Sequence, residues 1–139
     1  MEGNKTACNG IEMFLFQKSI VRFQMDQENF DKLLGRRLEK INSVLKSKAK
    51  EYAKGDRLHN FKVAAMLAQS PITPEQALLG MLRKHLVSVI DIIEDTGNGI
   101  VASRAMVDEK VGDTINYMIL LEALLVEREE TGRLSSCQE

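Results

Sequence analysis

The sequence predicts an all-α protein, an antiparallel bundle of four main helices that self-associates. Three observations carry that prediction. Phe30, Leu34, Leu38, Ile41, Leu45, Ala49 and Tyr52 recur at spacings of four, four, three, four, four and three residues, the apolar period of one helix face. Thr73-Pro74-Glu75 carries the marks of a fresh helix start: a side-chain cap, a first-turn proline and a first-turn acid. After residue 25 no run alternates apolar and polar residues as a half-buried strand does, and no internal repeat or low-complexity tract interrupts the helical pattern.

Residues 1–24 differ in character from the rest of the chain. Met1 to Gly10 is polar and without period, and Ile11 to Gln24 mixes apolar residues with no stripe. This extension reads as a strand, a packing arm, disorder, or the result of a start assigned too early, with Met25-Asp26-Gln27-Glu28 as the natural beginning. The helical domain then covers 25–130, and 131–139 is a polar tail.

The first helix is expected from about Gln27 to Lys54, roughly 40 Å long at ~1.5 Å per residue. A positive rail of Lys32, Arg36, Lys40, Lys50 and Lys54 lies opposite its apolar seam, and Gly55 stops it. The second helix spans Leu58 to Gln69, with Phe61, Ala65 and Ala68 inward, and Ser70-Pro71 breaks it. The third runs from Pro74 to about Asp95, with Leu78, Leu82, Leu86, Val89 and Ile93 in the core, and Gly97-Asn98-Gly99 ends it. The fourth starts at the candidate cap Ser103, continues to about Glu130, and gives way at Gly132. The apolar length of the first helix exceeds what its shorter neighbours cover, which is the reason to expect a homo-oligomer.

The charge total, 19 basic against 20 acidic residues, argues against duplex nucleic acid as a partner. Its distribution is uneven. Lys32 to Lys62 holds ten basic and three acidic residues, net +7, whereas Asp91 to Glu139 holds four basic and eleven acidic, net −7. Such asymmetry suits either pairing between the halves or a phosphate-bearing ligand beside a metal. The two cysteines, Cys8 and Cys137, lie in the tails without metal-ligand spacing. No apolar run is long enough to span a membrane, and a cytoplasmic protein is the default expectation.

The chemistry concentrates in Glu109-Lys110-Val111-Gly112-Asp113-Thr114-Ile115-Asn116-Tyr117. Glu109, Asp113 and Asn116, four and then three residues apart, share one face of an otherwise apolar helix. That face is either a solvent stripe or an inward site, and the next position along it, Leu120, favours the inward one. On the third helix Lys84, Ser88, Asp91 and Asp95 also share a face. Counting outward from the glycine turn sets Asp91 level with Glu109, Ser88 with Asp113 and Lys84 with Asn116. Asp91, Glu109 and Asp113 are thus candidate oxygen ligands for Mg²⁺, which leaves its other positions to water and phosphate. The alternative is a Lys84–Asn116 hydrogen bond with exposed acids near a turn. After the basic helix, Arg57, His59 and Asn60 are candidate phosphate- or base-binding groups, although Asp56 is equally an N-cap and His59 equally a surface or core histidine. No nucleophile motif, phosphate-binding loop, dinucleotide fingerprint or zinc spacing is present.

Glu109-Lys110-Val111-Gly112-Asp113, followed by Ile115-Asn116-Tyr117 and a leucine-rich run, resembles the last core helix of the MazG-like all-α nucleoside triphosphate pyrophosphatases. It is most similar to their small phage-associated relatives. Lys48 to Tyr52, Asn60-Phe61 and the helix from Pro74 match further elements of those relatives, so the resemblance covers roughly residues 28–126. It implies a helical homodimer or tetramer that binds Mg²⁺ and converts a nucleoside triphosphate to the monophosphate and pyrophosphate. The chain departs from the family where Lys110 replaces the glutamate expected three residues before Asp113. The nearest carboxylate, Glu109, is displaced about 100° around the helix. Asp91 and Asp95 stand where a Glu-x-x-Glu pair is expected. Three functions are compatible with this pattern: a Mg²⁺-dependent pyrophosphohydrolase, a nucleotide-binding or sequestering protein without catalysis, and a helical oligomeric scaffold. In the first two, Arg57, His59, Asn60, Lys84 and Asn116 contact the nucleotide.

Overall fold

A computed structural model describes residues 23–52 and 55–136, and every one of its elements is a helix. The extension through residue 22, Cys8, Cys137, Lys54 and the side chains of Lys50 and Tyr52 lie outside the described residues. The four helices are α1 (Gln27–Tyr52), α2 (His59–Met66), α3 (Pro74–Gly97) and α4 (Arg104–Ser136). Two compact units divide the chain, Met1–Leu33 and Leu34–Glu139.

In the first unit Asp26 starts α1. Its Oδ1 accepts the Asn29 backbone N–H at 2.9 Å and its carbonyl accepts that of Phe30 at 2.9 Å, satisfying donors that a helix start leaves open. The pairs Gln27–Asp31 (2.8 Å) and Lys32–Glu28 (2.6 Å) then bridge successive turns.

In the second unit, α2 is shorter than its apolar pattern predicts. Gly55, at φ +90°, turns the chain, and Asp56 Oδ1 accepts the Leu58 N–H at 2.8 Å. Asp56 therefore caps a turn ahead of the helix. Lys62 Nζ donates to Asp56 (2.8 Å) and to Glu127 (2.7 Å), tying α2 to α4. The Lys62 ammonium and the Leu58 N–H together hold the Asp56 carboxyl below its ordinary pKa.

The start of α3 is as expected. Thr73 Oγ1 accepts the Gln76 N–H while Gln76 Oε1 accepts the Thr73 N–H, a complete capping box with Pro74 in the first turn. Glu75, also in that turn, accepts two bonds from Arg128 of α4, at 2.6 and 2.7 Å. The Arg128 guanidinium, assisted by a bond with Thr73, pulls the Glu75 pKa from 4.5 to about 2.

At the other end of the hairpin Gly99 (φ +81°) makes the turn, and Ser103 caps α4 by accepting the Met106 N–H at 3.2 Å. The helix continues through Gly132 to Ser136, where the sequence predicts a tail from 131. A glycine inside a helix costs only about 1 kcal/mol, and Arg133 pairs back to Glu129 and Glu130 across that turn.

The core is where α2, α3 and α4 meet. Leu58, Phe61, Ala77, Leu78, Leu82 and Leu124 are buried there, flanked by Met81, Tyr117, Leu120 and Leu121. One expectation needs correction. Leu86 and Ile93 are exposed, because the inward face of α3 runs through positions 78, 82, 85 and 89 and turns both side chains away. Along the apolar seam of α1, Phe30, Leu34 and Leu38 are each about half exposed. Within the second unit α1 meets α4 through residues flanking that seam. Arg37 donates to the Asp108 carbonyl (2.9 Å) and carboxylate (3.1 Å), and Lys40 donates to the same carboxylate at 2.9 Å. Gly112 makes this approach possible, since a Cβ there would collide with the Arg37 guanidinium.

Candidate functional site

Beside the core, the second unit opens into a cleft of about 400 Å³ to which all four helical segments contribute. Val44 and Leu45 of α1, Phe61 of α2, Met81 of α3 and Leu120 of α4 give it an apolar floor. Its polar groups are Lys48, Arg57, Asn60, Lys84, His85, Asp113 and Asn116. The turn that Asp56 closes carries Arg57, and the first turn of α2 carries Asn60; both line the cleft.

Asn116 is the most telling member. It is only 9 % exposed, in the middle of α4, and its Oδ1 accepts no hydrogen bond from any described residue. Native proteins rarely leave a buried carbonyl oxygen unmatched, because its lost hydration costs about 1–3 kcal/mol. Nearby, the side chains of Arg57 and Lys84 form no ion pair or hydrogen bond with any described residue, although both line the cleft. The one carboxylate in the lining, Asp113 Oδ2, lies 3.5 Å from His85 Nδ1. The His85 ring rests on Tyr117 with centroids 4.8 Å apart, and Tyr117 meets Phe61 edge-on at 6.5 Å. The cleft thus combines cations at its polar side, an aromatic and aliphatic wall, and one buried acceptor.

Of the residues singled out in the sequence, Arg57, Asn60, Lys84, Asp113 and Asn116 converge on this cleft. His59 does not line it; this residue sits half-buried at the start of α2. The three expected metal ligands are not brought together. Asp91 is exposed and outside the cleft, and Glu109 is exposed and bonded to Lys110 at 2.7 Å. That bond keeps the Glu109 carboxyl below its ordinary pKa. Two physical reasons account for the separation. On α3, Asp91 lies about 150° around the helix from the inward face formed by positions 78, 82, 85 and 89. On α4 it is the neighbouring Asp108 that meets α1, through Arg37 and Lys40, whereas the Glu109 side chain is exposed.

Among the described residues no three His, Cys, Asp or Glu side chains gather as a metal site. With Asp113 as the single carboxylate among the described residues lining the cleft, the donor set does not fit a three-carboxylate Mg²⁺ centre.

Sequence reasoning misses His85 and Tyr117 as site residues. The signal is nevertheless present: Leu78, Leu82, His85 and Val89 follow spacings of four, three and four, as do Asp113, Tyr117, Leu120 and Leu124. It also misses Asp108, which takes bonds from Arg37, Lys40 and Arg104; the two from α1 have no near neighbour in sequence to announce them. No described helix is long and apolar enough to cross a membrane. Comparison of the chain with protein-family models, curated proteins and solved structures finds no match, so the reading of the cleft rests on its geometry.

Proposed function

We propose that this protein binds a nucleotide, or a closely related phosphorylated small molecule, in the cleft between its helices. One juxtaposition carries the reading: two cations without partners among the described residues, Arg57 and Lys84, share a 400 Å³ cleft with a buried, unmatched amide oxygen on Asn116. Guanidinium and ammonium groups suit phosphate oxygens. An apolar wall with one or two fixed polar groups suits a base or sugar. A purely aliphatic ligand would leave both features unmatched. The expected partners are that ligand, with Mg²⁺ travelling on its phosphates, and further copies of this chain.

Hydrolysis to the monophosphate and pyrophosphate is the enzymatic form of the same proposal. It asks for carboxylates around Asp113, and Asp91 and Glu109 lie outside the cleft. The geometry therefore favours binding over turnover.

A nucleotide panel, with and without Mg²⁺, tests both forms when thermal shift and pyrophosphate release are read together. The expected result is a shift with at least one nucleotide, weakened tenfold or more in Arg57→Gln and Lys84→Gln. Pyrophosphate release would restore the enzymatic form. No shift with any phosphorylated compound, even at low salt where surface charges are least screened, would overturn the proposal.

A further inference from the structure

Resting on that reading of the cleft, we infer that the ligand enters base-first, and that Asn116 selects it by accepting a hydrogen bond from an N–H on the edge of its nucleobase. Asn116 and the two cations of the cleft differ in what they can satisfy. Asn116 Oδ1, buried and unmatched, demands a donor. Phosphate oxygens at neutral pH are almost entirely acceptors and cannot supply one. The phosphates therefore lie at Arg57 and Lys84, the second of which is exposed.

What reaches Asn116 must then be flat and apolar on its faces, because the rings of His85, Tyr117 and Phe61 line the same cleft. It must also carry a donor on its rim. A nucleobase meets both demands and a sugar hydroxyl meets only the second. The Asn116 amide offers its oxygen to an amine or imide N–H, and its –NH₂ to the ring nitrogen or carbonyl beside it. A site built this way rejects a ligand that lacks the donor far more strongly than an apolar pocket rejects an extra methyl, since the protein group is left buried and unpaired.

The test compares ATP with N6,N6-dimethyl-ATP and UTP with N3-methyl-UTP, beside inorganic triphosphate, on the full chain. In both methylated compounds the base-edge donor is gone and the phosphates are unchanged. The expected result is that at least one natural nucleotide binds about 10²-fold or more tightly than its methylated counterpart, and more tightly than inorganic triphosphate. In Asn116→Ala, which removes the acceptor and makes room for the methyl groups, each pair should bind alike. Equal binding within both pairs in the native protein, or triphosphate as tight as the best nucleotide, overturns this inference and leaves the nucleotide site standing. Discrimination that persists in Asn116→Ala overturns the role of Asn116. Absence of binding by every compound removes the parent reading and this inference with it.

Discussion

Replacing Asn116 by leucine should make the protein more stable and less functional. The native amide oxygen is buried in the middle of α4 without a donor from the described residues. Removing it relieves a penalty of about 1–3 kcal/mol. Leucine is close to asparagine in size and is a better helix former by a few tenths of a kcal/mol. It would extend the apolar surface of Tyr117 and Leu120, and the adjoining cleft of about 400 Å³ absorbs the small excess in volume. The expected net gain is about 1–2 kcal/mol, or roughly 4–8 °C in Tm for a domain of this size. Urea melts with an unchanged slope would place the change in the folded state. Asn116→Ala should lose stability through the cavity it opens, and Asn116→Asp through burial of a charge. A leucine variant that melts lower by about 1 kcal/mol or more would mean that Asn116 is already matched inside the protein. The argument for a ligand donor would then fail.

Other perturbations probe the frame around the cleft. Glu75→Gln should cost about 1 kcal/mol at pH 7. The fall of its pKa from 4.5 to about 2 caps the contribution at about 3 kcal/mol, and Arg128 is more than half exposed, so solvent screens much of it. Because the folded pKa is depressed, that stability is complete above pH 4.5 and drains as the pH falls towards 2; melts of both proteins should converge there, and a gap that persists at pH 2 would contradict the assignment. Gly112→Ala should gain up to about 1 kcal/mol of helix propensity in an Arg37→Ala background, and gain less or lose in the native one, where the new methyl displaces the guanidinium from Asp108. Additive effects in that cycle would refute the close approach of Arg37 to Gly112. Asp91→Asn should leave nucleotide affinity unchanged, whereas Asp113→Asn should alter any Mg²⁺-dependent part of it; the reverse pattern would return Asp91 to the site.

Much of this architecture is legible in the chain because its signals are local. Thr73-Pro74-Glu75 encodes its own capping box, Gly55 and Gly99 mark the two turns that need positive φ, and Asp26 and Ser103 cap by their own side chains. Packing is less legible, since periodicity shows which residues share a face and not which face finds a neighbour. The third helix is a case of this. Leu79, Leu86, Ile90 and Ile93 form an apolar stripe nearly as good as Leu78, Leu82 and Val89, so spacing alone could not choose between them. The choice falls to the stripe that α2 and α4 cover.

The same distinction governs the site. Counting outward from the glycine turn pairs Lys84 with Asn116, and both do reach the cleft. The same count pairs Asp91 with Glu109, and neither reaches it, because equal height along two helices is necessary for a meeting and orientation decides it. Asp113 finds His85 rather than Ser88, whose hydroxyl donates instead to the Lys84 carbonyl of its own helix at 3.1 Å. A serine can satisfy itself within its own helix in this way. The imidazole has no such recourse and is drawn to the carboxylate across the interface. The buried asparagine oxygen finds no donor among the described residues of either helix, and the N–H of a bound ligand would complete it.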